Sequence, residues 1–290
     1  MPDLDKFYTQ KQVAKQCFEF LNTQLHIPTE TTYLEPSAGG GAFLDLLPKY
    51  VALDIAPEDD RIQQQNYLTY TPNYCNFVTI GNPPFGKRSK LAIDFFNKAA
   101  TMSDVIAFII PVSFMKWSVQ KQLDHSFKLH SYMYLEPESF SANGEPYSVR
   151  TVFQIWVKTG SQYDINIDLR LTKSPPIKHE DFEIWQYNAT PEAVKYVDEN
   201  WTYAVRRQGY HDYNEIFTRK DYDFIKEKMT GQKKQQFFFI RPLTDAADKL
   251  ILNMDFNALA ERNTATPGFG KADFVSYYME LKETNHEFTV

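Results

Sequence analysis

Apolar residues recur every fourth position at Val13, Cys17, Leu21 and Leu25, and Thr9 followed by Gln12 has capping-box spacing, so a helix is expected over residues 10–24 behind an extended lead-in. Thr31 to Leu34 then read as a short strand that enters a glycine turn at residues 35–43 and a helical run to about Pro48. Val51 to Ile55 form a second strand. Pro57 and a charged cluster over 56–65 leave little room for a crossover helix, and Asn66-Tyr67-Leu68 stand at the end of a third strand. The run Phe77-Val78-Thr79-Ile80 is apolar throughout, as a strand buried on both faces requires. Farther on, Leu91 to Met102 and Trp117 to Phe127 read as helices and Val105 to Pro111 as a buried strand. A turn at Asn143-Gly144 joins Leu135–Phe140 to Val149–Lys158, where Phe153, Ile155 and Val157 share one face and Val152, Gln154 and Trp156 the other. Beyond residue 160, strands are expected at Ile165–Leu171, Phe182–Tyr187 and Phe237–Ile240, and a helix start at Thr190-Pro191-Glu192.

The run that ends at Gly81 opens onto Asn82-Pro83-Pro84-Phe85. Two prolines remove two N–H donors and fix φ, so the segment is a rigid extended loop whose carbonyls are left to accept hydrogen bonds. An amide oxygen, a proline carbonyl and an aromatic face together suit a planar ring bearing an NH2 group. A proline-rich turn at the end of a buried strand accounts for an isolated copy of the motif equally well.

Strand, glycine turn and helix make a nucleotide cradle, since glycine permits close backbone approach and the turn's N–H groups converge. Glu35 at its mouth disfavours a pyrophosphate and suits a ligand carrying an ammonium group. Asp54 follows the glycine turn by roughly 20 residues, the spacing at which an acid meets ribose hydroxyls. Ile55 would then lie against an adenine face.

Composition narrows the class. The 290 residues are 43% hydrophobic and 16% aromatic, carry a net charge of −6, and contain no apolar run near the ~20 residues of a membrane span. Cys17 and Cys75 form no CxxC pair and no histidine cluster occurs, so no structural metal is expected and a reducing, cytoplasmic setting is. The opening residues lack a basic-then-apolar signal pattern. Against the acidic total, Arg206 to Arg241 hold nine Lys and Arg against five Asp and Glu, interleaved with Tyr210, His211, Tyr213 and Phe217. Arg206, Arg207, Arg219 and Lys220 are thus candidates for nucleic-acid backbone contacts, with a solvated helical face over 219–231 as the alternative.

In order and combination, these motifs resemble those of S-adenosylmethionine-dependent amino-methyltransferases, in particular the gamma class of N6-adenine DNA methyltransferases. Phe7-Tyr8-Thr9 resembles the motif that closes over the methionine end of the cofactor, and Glu35-Pro36-Ser37-Ala38-Gly39-Gly40-Gly41-Ala42-Phe43 the cofactor loop. Asp54 and Ile55 resemble the ribose and adenine grip, Asn66-Tyr67-Leu68 the motif beside the cofactor adenine, and Asn82-Pro83-Pro84-Phe85 the catalytic motif. Asn66 stands where relatives often have Asp, and Phe85 lacks the hydroxyl of the tyrosine variant.

The resemblance covers residues 5 to 160. It implies a Rossmann-like class I methyltransferase sheet with helices on both faces over residues 1–160, and an α+β target-recognition or accessory region over 161–290. It implies S-adenosylmethionine as cofactor, Phe85 stacking on a flipped adenine with Trp156 or Phe153 as a second aromatic, and DNA as substrate. A restriction nuclease or recognition subunit is the implied partner. Core positions explain Trp156 and Phe153 equally well. RNA adenine, a protein glutamine amide, or an inactive cofactor-binding subunit remain the alternatives.

Overall fold

The computed structural model describes residues 8–136, 138–142, 145–147, 149–262 and 266–287. Phe7 and the turn at Asn143-Gly144 lie outside them. By its internal contacts the chain divides into Met1–Lys173 (unit 1) and Ser174–Val290 (unit 2). The sequence reading put this division near residue 160.

Unit 1 runs β1 (Tyr8–Thr9), α1 (Lys11–Gln24), β2 (Tyr33–Glu35), β3 (Tyr50–Asp54), β4 (Gln63–Gln64), β5 (Phe77–Gly81), α2 (Lys90–Ala100), β6 (Ser103–Pro111), α3 (Trp117–Gln120), β7 (Phe127–Tyr134), β8 (Phe140–Ala142), β9 (Glu145–Tyr147) and β10 (Thr151–Lys158). Seven strands form one sheet in the order β4-β3-β2-β5-β6-β10-β7. The first five run parallel, whereas β10 pairs antiparallel with both β6 and β7. Helix α1 buries Val13, Cys17 and Leu21 against Val78, Ile80 and Ile155 on one face. Helix α2 buries Ala92 and Phe96 against Ile106 and Trp156 on the other. This is the Rossmann-like sheet, clad on both faces, that the resemblance implied.

Local departures have local causes. Thr9 does not cap α1, because its backbone pairs with Phe140 in the small sheet β1-β8-β9; Gln10 is the N-cap and makes no side-chain cap bond. The helical run to Pro48 shrinks to one 3-10 turn, Leu44–Leu46, since Pro48 forces Leu47 out of the helical region. The expected helix over 117–127 stops at Gln120. There the buried Gln120 side chain donates to the Phe114 carbonyl and accepts from the Leu171 N–H, while Asn97 accepts from the Asp124 N–H.

Residues 165–171 form no strand, although the alternation that suggested one is present and inverted. Ile165, Ile167, Leu169 and Leu171 are 41–62% exposed. The polar alternates turn inward: Asp164 pairs with Lys128 at 2.9 Å, and Asp168 accepts from the Leu129 N–H. Arg170 donates to the carbonyls of Gln120, Leu123, Asp124 and Phe127 at 2.6–3.1 Å. Carbonyls left over at the end of α3 need donors, and one guanidinium supplies them.

Unit 2 has β11 (Phe182–Tyr187), β12 (Tyr203–Arg206), β13 (Ile216–Thr218), α4 (Tyr222–Thr230), β14 (Phe237–Pro242), α5 (Asp245–Leu252), α6 (Phe256–Glu261) and α7 (Lys271–Glu287). Its antiparallel sheet is ordered β11-β14-β12-β13. Alternation in β14 sends Phe238 and Ile240 to the face covered by α5, α6 and α7, and Phe237 and Phe239 to the face covered by α4 and the 3-10 helix Pro191–Asp198. Proline at the first position starts that helix as expected.

Replacing Arg170 by Leu should leave four carbonyls short of a donor and destabilise unit 1 by roughly 2–4 kcal/mol. Arg170→Lys should restore little, because an ammonium cannot span the fork. Urea midpoints of the three proteins check this.

Candidate active site

The carboxyl ends of β2, β3 and β5 lie side by side, and their loops make the site. After β2 the chain turns at Gly39 (φ 52°) and Gly41 (φ 76°), a conformation in which an L side chain is strained. The turn is held by Asp54 at the end of β3: Oδ2 accepts the Gly39 N–H and Oδ1 the Ala56 N–H, both at 2.8 Å. Tyr8 covers it. A Cβ at Gly39 would meet the Tyr8 ring at 3.4 Å, and the Tyr8 hydroxyl donates to the Glu58 carboxylate, whose own N–H donates to the Gly39 carbonyl.

The Asn82-Pro83-Pro84-Phe85 loop leaves β5 through Gly81, where a Cβ would meet Glu35 Cγ at 3.3 Å, so glycine lets the acid lie against the strand end. Ser37 Oγ donates to the Asn82 carbonyl at 3.0 Å and ties the loop to the glycine turn. On its far side the Phe85 carbonyl accepts from the Ala92 N–H, and a Cβ at Gly86 (φ 66°) would sit 2.7 Å from Leu91. Only glycine fits there.

Between these loops lies a cavity of about 300 Å³, lined by Tyr8, Pro36, Ser37, Gly39, Asp54, Ile55, Asn66, Tyr67 and Leu68, and by Asn82 to Phe85. Phe85 is 9% exposed, a wall and not a flap. A second hollow of about 170 Å³ shares Tyr8, Ser37, Gly39 and Asn82, and adds Thr9, Glu35, Ala38 and Phe43. The fold therefore brings together most of the residues singled out for cofactor and catalysis. Gly41 lines neither space and serves the turn behind them. Lys11, Ala56, Gln65, Leu91 and Phe95 also line them and carry no motif of their own.

Glu35 is the electrostatic outlier. It is 2% exposed, its Oε2 has no hydrogen-bond partner, and burial first and the nearby Asp54 second push its carboxyl well above the ordinary 4.5. An acid buried this way without a counter-charge suits a cationic ligand group. Asn66 spends Oδ1 on the Leu68 N–H at 3.0 Å, capping a 3-10 turn, which leaves Nδ2 for any ligand. Ile55 and Leu68 are apolar and exposed at the rim, whereas Tyr67 is buried against Phe95 with ring centroids 4.9 Å apart. Glycine cradle, lone buried acid and apolar rim together fit a purine nucleoside bearing an ammonium group, as S-adenosylmethionine does. Among the described residues, no group of three or more His, Cys, Asp or Glu side chains could hold a metal ion.

Two further sets of expected residues line neither space. Trp156 and Phe153 are fully buried and cannot stack on a base: Trp156 packs edge-on to Phe96 at 5.2 Å and donates from Nε1 to Gln154, and Phe153 packs on Phe20. β10 lies inside the sheet with both faces covered, so neither side of its alternation reaches solvent. In unit 2, Arg206 pairs with Glu215 and lies over Tyr210 and Phe217. Arg207 donates to Gln236, and Arg219 donates to the carbonyls of Val197 and Glu199 above Trp201. These three guanidinium groups are engaged within unit 2; Lys220 is exposed.

No family model and no curated protein matches the chain. Solved structures that resemble it include a candidate RNA methyltransferase from Pyrococcus horikoshii, at 15% identity and TM-score 0.44 over 54% of this chain and 88% of that one. The modification subunit of a candidate type I restriction enzyme from Vibrio vulnificus matches at 17% identity and TM-score 0.43, over 55% of this chain and 46% of that one. The 23S rRNA methyltransferase ErmE matches at 11% identity and TM-score 0.40, over 54% and 71%. With every one of these TM-scores below 0.5, the fold assignment rests on the strand order described above.

Glu35 also sets a pH dependence. The folded chain holds its proton above pH 4.5, where the unfolded chain has released it, so stability should fall as pH rises from there toward the folded pKa. The slope contributed approaches about 1.4 kcal/mol per pH unit inside that window. Glu35→Gln should flatten the profile of urea midpoints taken between about pH 5 and 8; identical slopes in both proteins would contradict it.

Proposed function

We propose that unit 1 is an S-adenosylmethionine-dependent methyltransferase acting on the exocyclic N6 of adenine in DNA, with unit 2 as its target-recognition or accessory region. The observation that carries this is the shared cavity, in which Asn82, Pro83 and Phe85 face the same space as the glycine turn and Asp54.

Glu35 would take the ligand's ammonium group, Asp54 and the turn around it the ribose side, and Ile55 and Leu68 the faces of the adenine. S-adenosylmethionine supplies an electrophilic methyl group when bound. The chain's own part is at the amine. An adenine N6 is a poor nucleophile because its lone pair is delocalised into the ring. Asn82 Oδ1 and the Pro83 carbonyl are acceptors suited to its two N–H groups, and accepting both favours a tetrahedral nitrogen as positive charge develops there. No strong base is needed before the methyl has moved. In duplex DNA the base must leave the stack, and Phe85 would offset part of the lost stacking.

DNA is favoured over RNA by the Phe7-Tyr8-Thr9 motif and by the further unit that follows the catalytic one. A restriction nuclease or a recognition subunit is the partner this reading implies. Mass spectrometry of nucleosides from host DNA and RNA, after expression of wild type and Asn82→Ala side by side, tests it. N6-methyladenine should rise in DNA with the wild type and fall by about 10²-fold or more with the variant. A rise in RNA alone keeps the mechanism and changes the polymer. Undiminished methylation by Asn82→Ala sinks the assignment.

A further inference from the structure

Beside the cavity, one stretch of unit 1 runs against the acidic balance of the chain. Between Lys87 and Lys121 there are six Lys and Arg against two Asp, in a sequence whose net charge is −6. Lys87 and Arg88 follow the Asn82–Phe85 loop after Gly86 and are exposed. Ser89 Oγ lies 3.0 Å from Ser113 Oγ, which joins this loop to the turn after β6. That turn leads into Trp117, where the Lys121 ammonium sits 4.4 Å above the indole.

The same face of the sheet carries two further aromatic side chains. Gln154 in β10 donates to Met115 Sδ at 3.0 Å, and Tyr132 in β7 stands directly opposite Gln154. Cross-strand partners share a face, and so does the residue two positions on, so Tyr132 and Tyr134 lie on the same side as that turn. They are 38% and 59% exposed, with ring centroids 5.7 Å apart. Tyr134 also lies at the cavity's end of the sheet, because Val152 pairs with it and Thr151 pairs with Pro111, the last residue of β6.

We infer that Lys87, Arg88, Trp117, Lys121, Tyr132 and Tyr134 form the docking surface for an unpaired nucleic-acid strand leading to the cavity. The inference rests on the nucleic-acid reading above and sharpens it. Cations match a phosphate backbone, and the exposed rings of Tyr132 and Tyr134 can stack on bases, which only a single or opened strand can offer. A duplex alone would use the lysines and leave the tyrosines idle.

The test is fluorescence anisotropy with a labelled single-stranded DNA oligonucleotide and its duplex, over a salt series. Wild type, Lys87→Glu/Arg88→Glu, Tyr132→Ala/Tyr134→Ala and the control Lys49→Glu, an exposed lysine at the amino end of β3, are compared, with binding of S-adenosylmethionine and thermal melting as folding controls. Wild type should prefer the single strand. The tyrosine variant should weaken that binding about tenfold or more, within the range expected for lost base stacking. The charge variant should weaken it and shrink the logarithmic salt slope by about 1.4, for two lost phosphate contacts on a single strand. Lys49→Glu should change neither. Tighter binding of duplex than of single strand, no single-strand binding, or wild-type affinity and slope in both double variants would each overturn the surface. If the variants weaken binding as expected while the wild-type chain forms no N6-methyladenine, the surface stands and the methyl-transfer reading falls. Methylation by the wild type with no effect of the variants on binding gives the reverse.

Discussion

The parallel pairing of β2 with β5 is the constraint on which the site depends. Leu34 stands opposite Thr79, so the two strands end together, and the glycine turn and the Asn82–Phe85 loop leave the sheet as neighbours. Ser37 can reach the Asn82 carbonyl only because of that register, and Gly81 must lack a side chain because Glu35 lies against it. A one-residue slip would turn every buried side chain of β5 to the wrong face and separate the two loops. Adjacent in space, they were 45 residues apart in the chain.

Electrostatics in the site are organised by two acids with opposite duties. Asp54 spends both oxygens on backbone N–H groups and so shapes the cradle before any ligand arrives. Glu35 is buried with one oxygen unmatched and keeps its proton there, so its charged form becomes favourable only when a cationic group is beside it. The first acid builds the site and the second selects for it. Arg61, between Asp59 and Asp45, braces the loop behind them and holds the Asp59 carboxyl down at about 2.

What could be read in the sequence was chiefly what the backbone dictates. Paired prolines, clustered glycines and the four-residue stripe of α1 each leave the chain few choices, and the structure shows the corresponding loop, turn and helix. The two-residue period was legible as well, since Phe153, Ile155 and Val157 do face one core and Val152 and Trp156 the other. What the period cannot say is whether a face is wet. Trp156 was eligible for base stacking until β6 and β7 closed around β10, and the aliphatic residues of 165–171 were eligible for a core until Arg170 turned the polar side inward. Charge count in unit 2 likewise gave no hint that its arginines serve local carbonyls, amides and carboxylates. Tyr132 and Tyr134 carry no local signal, because their exposure follows from their place on an edge strand, a long-range property.

The place of β10 in the sheet bears on how the chain is made. Unit 1 threads its last strand between two earlier ones, so β6 and β7 cannot meet each other and must wait for residues 151–158. Until those emerge during synthesis, β6 presents an almost wholly apolar strand with one edge open, the condition under which chains pair with their neighbours. The sheet closes as a late, long-range event, and its rate is governed by loop closure more than by local propensity. A nascent chain stalled short of Lys158 would therefore be the form of this protein most in need of a chaperone.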